Sequence, residues 1–70
     1  MTRDELIAKV GEIVERDNLR PDEPLADTGL WDSMAWVQVM GVLDDCGVEA
    51  TGQRIGECET AAQVAALAGL

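Results

Sequence analysis

The sequence contains no histidine, and Lys9 is its only lysine. Without histidine, a serine or cysteine nucleophile lacks its commonest activating base, and a zinc site lacks one of its two usual soft ligands. Cysteine is also scarce: eleven residues separate Cys46 from Cys58, and there is no third. Zinc needs four ligands at short paired spacings, a pattern this sequence lacks, and no metal is expected. A disulfide is left open between the two cysteines, but two small buried thiols is the preferred reading. The opening Met1-Thr2-Arg3-Asp4-Glu5 has no apolar signal core, and no segment approaches the length needed to span a bilayer. A cytoplasmic protein is expected, with no membrane partner. Internal repeats, low-complexity tracts and linkers are absent too, so residues 1–70 read as one single domain with a small core. The initial methionine and the missing linker favour a standalone protein, with an excised module as the alternative.

Basic residues are few and unevenly placed. Arg3, Lys9, Arg16 and Arg20 lie in the first third, and Arg54 alone follows them. From Pro21 to Gln53 there is no Lys or Arg, while Asp22, Glu23, Asp27, Asp32, Asp44, Asp45 and Glu49 all fall there. The net charge of −9 repels nucleic acid and anionic membrane and attracts proteins with basic patches. Solubility alone would account for the total charge; a base-free stretch of this length is more specific.

Local signals predict an all-α domain of three main helices plus a short one. Thr2 and Glu5 form a T-x-x-E capping box, and Leu6, Ile7, Val10, Ile13 and Val14 repeat at helical spacing toward Arg16. Asp17 to Trp31 contains Pro21, Pro24 and Gly29 and reads as a long loop pinned by Leu25 and Leu30. A second helix is expected from Asp32 or Ser33 to Asp45, capped by one of those two residues and stopped at Gly47. Arg54 to Glu57 reads as one short helical turn. Thr60 and Gln63 form a T-x-x-Q box opening a last helix through Ala68, with Val64 and Leu67 inward.

On a helical wheel the second helix has two faces. Trp36, Val39, Met40 and Leu43 cluster on a core side; Met34, Val37, Gln38, Gly41, Asp44 and Asp45 fall opposite. Apolar residues ringed by acids suit protein docking better than a solvated face. For Val37 the competing reading is packing against the long loop. Ser33 sits at the N-terminal edge between the faces. Taken alone it is a helix cap, and as a hydrolytic nucleophile it has no base: Asp32 is its sequence neighbour and Lys9 belongs to another helix. No enzymatic activity is expected of this chain.

The stretch Leu25-Ala26-Asp27-Thr28-Gly29-Leu30-Trp31-Asp32-Ser33-Met34 resembles the acyl carrier protein family, whose signature is Gly-hydrophobic-x-Asp-Ser-Leu/Met at the start of the second helix. The order of elements is similar over nearly the whole chain. The resemblance implies an acyl-carrier-like four-helix bundle, monomeric, in which Ser33 receives 4′-phosphopantetheine from coenzyme A. A separate Mg²⁺-dependent phosphopantetheinyl transferase would attach it, with Asp32 aiding recognition. It also implies that the arm carries an acyl or aminoacyl group as a thioester among a loading enzyme and downstream synthases or transferases. By the same resemblance, Met34, Val37, Gln38, Gly41, Asp44 and Asp45 occupy the docking positions.

Several positions depart from the family. Ala35 and Gln38 stand where an acid is common, which implies a less negative docking face, and Cys46 replaces an aromatic residue before Gly47. Trp36 is read as core filler, taking volume left by Cys46 and the alanine-rich last helix, with a wall for the cargo as the alternative. Trp31 is read equally as a loop anchor or a partner contact. The Gly-Gly-x-Ser pattern of peptidyl carriers is missing; Gly29-Leu30-Trp31-Asp32-Ser33-Met34 looks more like freestanding carriers, including those similar to the D-alanyl carrier protein and discrete carriers of specialised metabolism. The competing function is an acidic helical interaction module of the same fold with no prosthetic arm.

Overall fold

Thr2 opens the first helix by the reciprocal pair its sequence predicts. In a computed structural model describing all of residues 1–70, the Glu5 N–H donates to Thr2 Oγ1 and the Thr2 N–H donates to Glu5 Oε1, both at 3.1 Å. The Thr2 backbone N–H foremost, and the Thr2 side chain after it, hold the Glu5 carboxyl below its ordinary value. Helix α1 spans Arg3–Ile13 and buries Leu6, Ile7 and Val10. It stops short of the expected Arg16. Val14 is the C-cap, Glu15 turns into the left-handed region at φ 55°, and the Glu15 and Arg16 N–H groups close onto Glu12 and Gly11 carbonyls. The apolar stripe outlasts the helix because Val14 stays buried after the backbone has turned.

The long loop is tied down. Leu25 is fully buried and begins one 3₁₀ turn, Leu25–Thr28, closed by Thr28 Oγ1 donating to Leu25 O at 2.7 Å. Leu30, the other expected anchor, is 37% exposed and lies outside the core. Its role falls to backbone straps. Ala62 N–H donates to Pro21 O at 2.9 Å, Leu25 N–H to Glu59 O at 2.8 Å, and the Trp31 indole N–H to Cys58 O at 3.2 Å. Arg16 adds an ion pair to Glu23 at 2.6 Å.

Helix α2 spans Ser33–Asp45 and ends where Gly47, at φ 77°, lets Val48 N–H reach back to Leu43 O. Helix α3, Gly52–Gly56, starts earlier than the expected Arg54–Glu57 turn because Thr51 caps it, accepting from Arg54 N–H. Helix α4 spans Ala61–Leu67, with Ala68 as its C-cap rather than its last residue. Thr60 caps it, but Gln63 Oε1 accepts from the Glu59 N–H instead of completing the box on Thr60.

The result is a compact domain of four α-helices and no strand. α2 packs on α1 and α3, and α4 on α1. Leu6, Leu25, Leu43 and Ile55 are fully buried at the centre; truncating any one to alanine costs about 2–5 kcal/mol, as much as a domain this small has to spare. Both cysteines are free. Cys58 is buried, which pushes its thiol above the ordinary value, whereas Cys46 is only half-buried. No helix is long and apolar enough to cross a membrane.

Candidate functional site

Asp32, not Ser33, caps α2. Its backbone is extended, and Oδ1 accepts from Met34 N–H at 3.1 Å and Ala35 N–H at 3.2 Å, satisfying two of the orphan donors of the first turn. Ser33 is thereby released from the structural role its position suggests. It is the first helical residue, exposed, and its hydroxyl has no hydrogen-bond partner. Its N–H has no protein acceptor either, so a donor and the positive end of the helix dipole both face outward beside Oγ.

The face below Ser33 is open. Met34 is 72% exposed and Val37 63%, and Gln38, Gly41, Asp44 and Asp45 are exposed along with them. Val37 therefore does not pack against the loop. Ala35 is 3% exposed and belongs to the core side, so it has no bearing on the charge of the outer face. From Ser33 to Gly41 is eight residues, or about 12 Å along the helix.

The two tryptophans form an edge-to-face pair with ring centroids 6.5 Å apart. Trp31, through its bond to Cys58 O, is a loop anchor. Trp36 is half-buried and packed against the core, and its indole covers Gly56 on α3. Its Nε1 is buried without an acceptor.

One part of the site had not been expected. Beyond Gly47 the chain returns alongside α2, and Val48 and Glu49 join Val37, Met40, Gly41 and Asp44 around an open groove of about 600 Å³. The Gly47 stop was the available signal: an apolar residue just past such a turn commonly packs back on the helix it ends, and Val48 does. A larger concavity, about 710 Å³, lies at the far end of α1 between Glu12, Glu15, Arg16 and Leu19. Its size does not make it the better candidate: Asp4, Glu12, Glu15, Arg16 and Asp17 ring it with charge, and no α2 residue lines it. Ser33 lines neither concavity. No group of three or more Cys, Asp or Glu side chains is placed to hold a metal ion.

Compared with family models, with curated proteins and with solved structures, the chain matches none.

Proposed function

We propose that this protein is a carrier: Ser33 bears a 4′-phosphopantetheine arm, and the arm presents an acyl or aminoacyl group to biosynthetic enzymes. The observation that carries the reading is the division of labour at the start of α2. Asp32 does the capping, leaving the Ser33 hydroxyl exposed and unpartnered directly after it. The motif Gly29-Leu30-Trp31-Asp32-Ser33-Met34 and the acidic surroundings agree with it.

The residues fit the group chemically. In arm attachment Ser33 Oγ bonds to the pantetheine-side phosphorus of coenzyme A, the pyrophosphate bond breaks, and adenosine 3′,5′-bisphosphate leaves; the hydroxyl proton goes to the transferase. The N-terminus of α2, with the free Ser33 N–H and the helix dipole, would favour the negative charge of the resulting phosphodiester. When bound, the arm supplies a terminal thiol that holds its cargo as a thioester activated for transfer. The chain itself supplies position: a rigid helix start for the tether, and an outer face through which enzymes find it. Asp32 keeps its second carboxylate oxygen free of hydrogen bonds and offers it to the modifying enzyme.

The fold that goes with this reading is the acyl-carrier-like bundle, and the expected partners are a phosphopantetheinyl transferase, a loading enzyme and a downstream synthase or transferase. The armless interaction module is favoured only by the exposed Met34 and Val37, a feature that does not explain why Ser33 is left free. Intact mass after incubation with coenzyme A, Mg²⁺ and a broad-specificity transferase separates the two.

A further inference from the structure

Between Gly29 and Asp32 every hydrogen bond but one is local. Gly29 N–H donates to Ala26 O at 3.2 Å, Leu30 N–H to Thr28 Oγ1 at 3.2 Å and Asp32 N–H to Leu30 O at 3.1 Å. These bonds shape the turn into α2 without tying it to the rest of the molecule. The Asp32 cap does not tie it either, because its acceptor and both its donors move together with the helix start. Leu30, Ser33 and Met34 are exposed, so little burial fixes this end. The exception is the Trp31 indole, whose N–H donates to Cys58 O at 3.2 Å across 27 residues of chain.

That acceptor is itself held. Cys58 N–H donates to Ile55 O at 3.0 Å and its thiol to Arg54 O at 3.7 Å, and Ile55 is fully buried. The Trp31 ring also meets Trp36 edge to face, and Trp36 covers Gly56. Residues 56–58 at the end of α3 therefore seat two indoles, one from the residue before Asp32-Ser33 and one from the first turn after it.

We infer that Trp31 is a positioning residue for Ser33: its indole N–H fixes the start of α2 against the end of α3, and so fixes where the unpartnered hydroxyl is presented. The inference rests on the carrier reading above and adds to it the residue that orients the acceptor hydroxyl. Attack on phosphorus needs an aligned oxygen, and a misplacement of about 1 Å is enough to slow such a step severely. Ser33 Oγ has no bond of its own to hold it, so its alignment is inherited from the backbone that Trp31 anchors. The indole touches the neighbouring elements and not the hydroxyl, so its loss acts on alignment.

Chemical synthesis gives the 70-residue chain with 3-benzothienylalanine in place of Trp31, which keeps the bicyclic ring and puts sulfur where the N–H was; Trp31→Phe is the genetic counterpart. Arm attachment by a broad-specificity transferase, with coenzyme A and Mg²⁺, is followed well below each Tm, together with backbone amide exchange. Both variants are expected to lower kcat about tenfold at unchanged KM, and to speed exchange of the Met34 and Ala35 amides relative to those of α1. Wild-type kcat, a change in KM alone, or unaltered exchange at Met34 and Ala35 would overturn the positioning role and leave the carrier reading standing. Failure of wild type to accept the arm would overturn the carrier reading, and the positioning role with it.

Discussion

The indole of Trp36 lies so close over Gly56 that a Cβ on that glycine would sit 2.7 Å from Cε2 and 2.8 Å from Cζ2. This contact sets the spacing of α2 and α3, and with it the position of the helix that carries Ser33. Gly56→Ala should destabilise the domain by about 1–3 kcal/mol through overpacking, seen as a lower midpoint in urea. The same change in a Trp36→Leu background should cost much less, because the ring that collides is gone. Equal costs in the two backgrounds would mean that the α2–α3 contact is not what restricts position 56.

The capping role of Asp32 and its suggested role in recognition can be separated. Asp32→Ala should lower stability by about 1 kcal/mol through loss of the Met34 and Ala35 N–H bonds. Asp32→Asn keeps an acceptor of nearly equal capping strength, so its thermal midpoint should match wild type. Slower arm attachment in Asp32→Asn at unchanged Tm would assign the loss to the charge and not to fraying of the helix.

Glu15 occupies the left-handed position that Gly47 and Gly69 fill in the equivalent turns after α2 and α4. An L-residue with a Cβ is strained there. Glu15→Gly should stabilise the domain by about 0.5–1 kcal/mol, a gain of about 4 °C in Tm with arm attachment unaffected. A fall in Tm would show that the Glu15 side chain makes a compensating contact.

How far these features could be read beforehand depended on the kind of signal each carries. Three of the four helix starts were legible because caps are written in side chains. Thr2 and Thr60 act as their types predict, Asp32 was one of two candidates, and only the Thr51 cap went unread. The exposed face of α2 was legible because periodicity alone assigns Met34, Val37, Gly41 and Asp44 to one side. The end of α1 was not, since Val14 continues the apolar stripe after Glu15 has turned the backbone. Leu30 misled for a related reason: hydrophobicity marks what can be buried, whereas the loop is held by the carbonyls of Pro21, Glu59 and Cys58. Main-chain acceptors are common to every residue type and leave no trace in a sequence. Ala35 erred in the opposite direction, because a family pattern placed it on the outer face while its burial places it in the core.

The most direct test of the central claim is the intact mass of the purified apo-protein after incubation with coenzyme A, Mg²⁺ and a broad-specificity phosphopantetheinyl transferase. Wild type should gain the mass of one phosphopantetheine, and Ser33→Ala, folded to the same Tm, should gain none. No gain in wild type, or an equal gain in Ser33→Ala, would contradict the assignment of Ser33 as the attachment site.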